Sequence, residues 1–449
     1  MKYTMNKILL MMIISVLSID AQNNFNNLTI YNGGFSVVKT NTEFELKKGI
    51  NKLVFKDFSE QIEISSLNLK INATQLEKSF ININPDINSI LKKYIGMNIK
   101  LIGKDGQIDG TLLSIDNGII IKTKDSKFAF INNLDNYNIF FDEMLLDLEK
   151  KKEFFFVVES NKTSKEYAQI SYVTNGLGWH TEYVAYLDKD SKKMNLEGWV
   201  NLLNNTGIDF ENTSVKFIAG EVERSYNKFE ARDEIRSIAP LSSMSQLTGI
   251  EPKSFGELYS YTYPRSITLL KNELKQLPLI SKKNINIQNK YNFYSNEYNN
   301  NETNLDVVVE MKNDDKNGLG IPIPAGNIKI FKQDGDTFEL IGSNTINNTP
   351  KDAILRIKTG SSFDLIGKSE TMEQIQISDR VFEYNREITL KNRKNEDVSI
   401  EVFAFIERGF EVLSSDEKYV RENSNQIKFT VIVNKNTVKK FNFKYRIKR

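Results

Sequence analysis

Cysteine is absent from all 449 residues. That omission excludes a disulfide-stapled scaffold, a lipid-anchored lipoprotein and any thiolate chemistry, while remaining compatible with bacterial export. Histidine occurs once, as His180, so a zinc site would have to be built almost wholly from carboxylates. No Gly-x-Ser-x-Gly elbow accompanies it, and a Ser-His-Asp arrangement therefore lacks its nucleophile. A basic surplus is missing as well. The chain has 60 Lys and Arg against 58 Asp and Glu, a formal net charge of +2, where a nucleic-acid binder needs a strong excess. Beyond the N-terminus no apolar run approaches the roughly 20 residues of a membrane span. Sustained heptads and long helix-period windows are lacking too, which leaves strands as the main building material.

What is present begins with an export signature. Lys2 and Lys7 precede an apolar core over Ile8–Leu17, and Ala21 offers a small residue for cleavage. Residues 1–21 thus read as a signal peptide and Gln22 as the mature start. Ile19 and Asp20 fit a cleavage site poorly, so an uncleaved anchor is the alternative. Loss of the segment takes the net charge to about +1. The length allows two or three domains.

Residues 22–83 read as strands and turns. Leu28–Tyr31 and Phe35–Val38 flank Asn32-Gly33-Gly34, a hairpin signal because Asn and Gly accept positive φ. Phe44, Leu46 and Leu53–Phe55 continue the alternation, and Ile62–Ile71 adds another expected strand. A short helix follows, capped by Asn84, with Pro85 in its first turn, one apolar face of Ile87, Ile90, Leu91 and Tyr94, and Gly96 at its end. From Met97 to Phe141 four or five brief strands are broken at Asp105-Gly106, Asp116-Asn117-Gly118 and Lys124-Asp125-Ser126. Residues 84–143 are therefore expected to form a small SH3-like or Sm-like barrel, structural or protein-binding. A linker is placed at 144–153 and a β-sandwich region over 154–449. Within the latter, residues 225–253 are poor in large apolar side chains and read as an exposed loop.

The stretch Gly176-Leu-Gly-Trp-His-Thr-Glu-Tyr183 holds one of the two tryptophans and the only histidine. It reads as strand, tight turn and strand, with Gly176 and Gly178 permitting the bend and Trp179, Tyr183 and Tyr186 supplying the apolar bodies of a sheet face. Leu196-Glu-Gly-Trp199-Val follows, then Asn204-Asn-Thr-Gly207 and Ala219-Gly220-Glu-Val222. Further on stand Tyr261-Thr-Tyr-Pro264-Arg265, Asn317-Gly318-Leu-Gly320-Ile-Pro322-Ile-Pro324-Ala-Gly326, Asn348-Thr-Pro350-Lys-Asp352 and Gly360-Ser-Ser-Phe-Asp364. In this order the blocks resemble the bacterial domain-of-unknown-function family 4139 over roughly Phe154 to Arg449. The resemblance supplies no established activity. It implies structural roles for Gly176, Gly178, Trp179, Tyr183, Trp199, Gly220, Pro264, Arg265, Gly318, Gly320, Pro322, Pro324, Pro350 and Asp352. Mucoidy-inhibitor-like relatives carry a long coiled coil before this domain; no such heptads occur here.

Carboxylates are the remaining route to catalysis. Glycoside hydrolysis needs two acids about 5–10 Å apart, and Glu182, Glu197, Glu221 and Glu223 lie near the best-matched blocks. Asp314-Asp315 and Asp334-Gly-Asp336 offer hard oxygen ligands, but their spacing is that of turns, not of an EF-hand loop. Asn317-Gly318-Leu-Gly320 lacks the Gly-Lys-Ser/Thr ending of a phosphate loop and reads as a shaped turn before an edge strand. Aromatic strands at Tyr259–Tyr263 and Tyr291–Tyr298 suit core packing, or, for the second, a sugar-stacking or protein-binding surface. The expectation is an exported, all-β envelope protein without metal or cofactor. It would bind or scaffold an envelope protein or polysaccharide, the alternative being a carboxylate-dependent hydrolase of envelope polysaccharide.

Overall fold

The computed structural model describes residues 25–83, 86–104, 106–116, 118–143, 151–223, 250, 252–296 and 300–448. Residues 1–21 of the expected signal peptide, Asn84 and Pro85, residues 144–150 of the expected linker and 225–249 of the expected loop lie outside them. Among the described residues nearly everything is extended, with one α-helix and two 3-10 turns, so the chain is all-β. None of these helices is long and apolar enough to cross a membrane. The chain divides into two compact units, one containing Lys39–Tyr172 and the other Asn26–Val38 with Val173–Arg449.

Strands β1 (Phe25–Tyr31) and β2 (Phe35–Leu46) flank the expected Asn-Gly-Gly turn, where Gly34 takes φ +81°. After β3 (Gly49–Phe55), the predicted strand over Ile62–Ile71 shrinks to β4 (Asn68–Lys70), preceded by a 3-10 turn at Ile64–Ser66. The reason is local: Ser66 Oγ donates to the Glu63 carbonyl at 2.6 Å, and such side-chain bonds compete with a ladder. β5 (Thr74–Ile83) and β3 both pair antiparallel with β11 (Lys151–Ser160). The last three linker residues thus belong to a strand. Phe154 packs edge-on against Phe58 at 4.7 Å and beside Phe80 at 4.5 Å. β12 (Ser164–Asn175) closes this part, paired with β4.

The helix α1 (Ile87–Lys93) is capped by Asp86, whose carboxylate accepts from the Ser89 N–H at 2.7 Å, so the cap is Asp86 instead of Asn84. That bond and its own side-chain contact with Ser89 hold the Asp86 carboxyl below its usual range. Leu91 and Tyr94 face the core as expected, but Ile87 is exposed. Next come β6 (Asn98–Gly103), β7 (Gly106–Ser114), β8 (Ile119–Thr123), β9 (Phe128–Ile131) and β10 (Tyr137–Phe141). They form one sheet in the order β10-β6-β7-β8-β9. Its core joins Leu91 and Tyr94 to Ile99, Leu101, Leu112 and Ile121. The five strands match the sequence reading, while β9 and β10 stand as the two ends of an open sheet; no pairing among the described residues closes a barrel.

The second unit opens with β13 (Leu177–Leu187), β14 (Lys193–Asn204) and β15 (Phe210–Ala219). β15 runs parallel to β1 and antiparallel to β17 (Leu258–Thr262), with β16 (Pro252–Phe255) beyond and β18 (Ile267–Leu269) also on β15. Pro252 and Lys253 are therefore strand residues, not loop. β19 (Leu274–Asn286), β20 (Gln288–Ser295), β21 (Thr303–Lys312), β22 (Gly326–Asp334) and β23 (Thr337–Ile346) follow. A five-stranded sheet runs β19-β14-β13-β22-β23. In it β22 is interior, parallel to β13 and antiparallel to β23, which corrects the edge-strand expectation.

The remaining strands are β24 (Ile354–Ser378), β25 (Val381–Asn392), β26 (Val398–Phe405), β27 (Glu411–Ser415), β28 (Tyr419–Asn423), β29 (Gln426–Val433) and β30 (Thr437–Lys448). With β20 and β21 they make a nine-stranded sheet ordered β27-β30-β25-β24-β21-β20-β26-β29-β28. Phe429 on β29 lies 5.0 Å from Phe441 and 5.3 Å from Phe443 on β30, although five strands separate them in the hydrogen-bonded order. The sheet must therefore fold over on itself, and its two layers share one core that includes Ile400, Val402, Ile427 and Tyr445, the sandwich packing expected of alternating strands.

Candidate functional site

The period-2 alternation of β13 sends Leu177, Trp179, Thr181, Tyr183 and Ala185 to one side, all buried. His180, Glu182, Val184 and Tyr186 go to the other. Tyr186 thus shares no face with Trp179 and Tyr183; it stacks on Phe331 at 5.7 Å and meets Phe338 edge-on at 5.2 Å. Only Gly176 makes the bend, as a one-residue link at φ +84°, while Gly178 sits inside the strand.

The inner side gathers several of the motif residues into a packing hub. Trp179 lies against Phe217 at 5.4 Å. The Tyr183 hydroxyl donates to the Pro324 carbonyl at 2.8 Å, Tyr261 to the Pro322 carbonyl at 3.2 Å and Thr181 to the Ala325 carbonyl at 2.6 Å. Burial pushes both phenols well above the ordinary tyrosine range. The Tyr183 ring covers Gly198, where an added Cβ would lie 2.7 Å from it. A second knot forms around fully buried Asn313, whose amide donates to the Ile321 and Pro350 carbonyls at 2.7 and 2.8 Å. Asp352 adopts φ +66° and donates its N–H to the Asn313 carbonyl at 2.8 Å. Gly318 caps the 3-10 turn Asp315–Asn317 in the left-handed region, and the Asp315 carboxylate occupies the place of a Cβ on Gly320. Asp314 caps the same turn and Lys351 pairs with Asp315. Gly220 ends β15 at φ +116° under Leu258. Pro264 and Arg265 are exposed, the guanidinium reaching the Tyr263 hydroxyl at 3.1 Å. Asn313 stands outside every block quoted from the sequence, and Thr181, Gly198 and Gly326 stand inside such blocks without having been singled out as site residues.

The outer side of the same sheet is different in kind. Cross-strand register places Gln276 (β19), Asn201 (β14) and His180 (β13) in one row, and Pro278, Trp199, Glu182 and Asn327 in the next. Glu197, Val184 and Lys329 form a third. Gln276 donates to Asn201 Oδ1 at 2.9 Å, which orients the Asn201 amide so that its N–H₂ faces His180 Nε2 at 3.1 Å. Nε2 is then an acceptor, and the imidazole is neutral with its proton on Nδ1. Burial lowers the His180 pKa, with the Glu182 carboxylate opposing from 3.7 Å. Asn327 donates to Glu182 Oε1 at 2.9 Å. Trp199 is only half-buried, beside exposed Gln276, Glu197 and Asn327.

Unfolding restores His180 to its ordinary pKa of about 6.5, so below that pH the unfolded chain binds the extra proton first. Stability contributed by neutral His180 is whole above about pH 6.5 and declines as pH falls toward the lowered folded value. The urea midpoint of His180→Gln should therefore fall less between pH 7.5 and 5.5 than that of the parent. Equal declines would contradict the neutral-acceptor assignment.

Of the other acids, Glu221 and Glu223 are exposed past the end of β15, away from any paired carboxylate in register. Asp334 ends β22 and Asp336 stands in the turn to β23. No group of three or more His, Asp or Glu able to hold a metal occurs among the described residues.

The family model described as "Domain of unknown function (DUF4139)" matches residues 168–448, a span that contains both the packing hub and the outer face. No curated protein matches the chain.

Proposed function

The chain belongs to the DUF4139 family, and from that premise we propose that it is an exported binding or scaffolding protein of the cell envelope, with the outer face of the five-stranded sheet as its contact surface. Export rests on Lys2, Lys7, the apolar run Ile8–Leu17 and Ala21. The observation that carries the binding role is the pre-bonded polar lattice Gln276–Asn201–His180 and Glu182–Asn327 around the half-buried Trp199 indole. Side chains already held by one another lose little freedom when a partner arrives, which favours recognition. Capture from isolated envelopes after in-cell photo-crosslinking from Ser343 or Thr345, both exposed on this face, should yield a discrete adduct, weakened by Trp199→Ala. Recovery of the uncrosslinked chain alone would remove the proposal, and N-terminal sequencing should find Gln22 first.

A hydrolytic role has one observation in its favour. Glu182 is opposite Trp199 and Glu197 opposite Val184, so the two acids are diagonal neighbours on one face, with Cα atoms about 7–8 Å apart. That is within reach of the spacing glycosidases use. Under this reading Glu182→Gln would abolish release of reducing sugar ends from envelope polysaccharide while leaving the crosslinked adduct intact. Under the binding reading no such release is seen in the parent.

A further inference from the structure

We infer that the occupant of this face is a neutral saccharide chain, an inference that rests on the reading of the face as the binding surface. The half-buried Trp199 ring is bordered along its strand by Asn201 on one side and Glu197 on the other, and across strands by Glu182 and Pro278. A flat ring offers its face to the C–H side of a sugar. The groups around it supply both halves of hydroxyl recognition: Asn201, Gln276 and Asn327 each carry a donor and an acceptor, Glu182 accepts, and neutral His180 donates through Nδ1.

The balance of charge narrows the class. Across these rows stand two carboxylates, Glu182 and Glu197, against one ammonium, Lys329. An anionic ligand such as a phosphate or a uronate needs a surplus of cationic donors, and here it would meet repulsion. Hydroxyl groups, which donate and accept alike, match a mixed lattice. Asn201 is 6% exposed and bonded on both sides, so its orientation is set before any ligand arrives. Adjacent strands are about 4.8 Å apart, so five of them give a platform about 19 Å wide, room for several sugar rings in line.

The two tryptophans provide the test. Trp179 is buried on the opposite side of the sheet, and its indole N–H has no hydrogen-bond partner among the described residues, so Trp179→Phe removes no hydrogen bond and leaves Trp199 as the sole indole. The full mature chain carrying Trp179→Phe is titrated with dextran, mannan and a soluble β-1,3-glucan, with polygalacturonate as the anionic comparison, while Trp199 fluorescence is read. A saturable shift or quench with at least one neutral polymer is expected, its midpoint weakened about tenfold or more by Asn201→Ala, which removes the bridging amide. Should Trp179→Phe fail to fold, the difference between the parent and Trp199→Phe reports the same signal. A response to polygalacturonate alone, or to none of the four, overturns the inference. If the crosslinked adduct forms and is a protein while no polymer shifts the fluorescence, the face is a binding surface and the saccharide class is wrong; if neither signal appears, both readings fall together.

Discussion

Alanine at Arg386 should lower stability by about 3–5 kcal/mol, read as a shift in the urea midpoint. Arg386 is 1% exposed and is among the largest fully buried side chains of the protein. Its Nη2 donates to Ser295 Oγ at 2.7 Å, the Asn296 carbonyl at 2.5 Å and Ser369 Oγ at 2.6 Å, and Nη1 reaches the Phe405 carbonyl at 3.5 Å. The guanidinium also lies 5.9 Å from the Phe443 ring. One side chain on β25 therefore ties the ends of β20 and β26 to the middle of β24 and touches β30. Truncation leaves a cavity and strips partners from buried oxygens, each worth about 1–3 kcal/mol when orphaned. Methionine provides the control. It fills most of the volume, and Ser295 can keep its 2.9 Å bond to Ser369, so Arg386→Met should lose clearly less than Arg386→Ala. Lysine keeps the charge but not the fork, and should fall between them. Equal losses for alanine and methionine, both below about 1 kcal/mol, would show that the guanidinium bonds contribute nothing.

Arg386 was invisible in the sequence because an arginine within an alternating strand, Val381–Asn392, reads as a solvent-facing residue; only the folding of the nine-stranded sheet onto itself buries it. The strands that alternate apolar and polar residues, such as β13, β22 and β26, were legible because each has one buried face. β24 was not: the same strand pairs β21 along Ile354–Gly367 and β25 along Leu365–Ser378, and over residues 371–378 every side chain is exposed. A segment with no buried face leaves no hydrophobic period to read. The candidate site was legible only in part. His180, Glu182 and Trp199 could be named from their blocks, but Asn201, Gln276 and Asn327 join them through cross-strand register, which depends on pairings up to 145 residues apart in sequence, that of Glu182 with Asn327, and is not encoded in local pattern. The turn residues fared better, because positive φ at Gly34, Gly176 and Gly318 is a local requirement that the residue type itself announces.

Two motif glycines should respond to the same substitution in opposite ways. Gly326→Ala should be destabilising by about 3 kcal/mol or more, whereas Gly178→Ala should stay within about 0.5 kcal/mol of the parent. At Gly326 the parallel register sets the residue directly against Thr181, and an added Cβ would overlap both Thr181 Oγ1 and its backbone carbonyl, closer than the 3.0 Å that real Cβ atoms respect. Backbone cannot swing aside as a flexible side chain does. To admit the methyl, β22 must draw away from β13, and the hydroxyl bonds from Thr181 to Ala325 and from Tyr183 to Pro324 lie at the point of separation. At Gly178 no atom lies within 4 Å of the added Cβ, and the φ is not in the left-handed region. Its place within a strand even favours alanine slightly, since glycine weakens a strand interior. Thermal unfolding of the two variants, side by side, separates a glycine required by close backbone approach from one that the fold does not need. A small effect at Gly326 would mean that the β13–β22 pairing is looser than this register implies. A large effect at Gly178 would mean that the outer face is covered there, which would also remove the open surface on which the binding proposal depends.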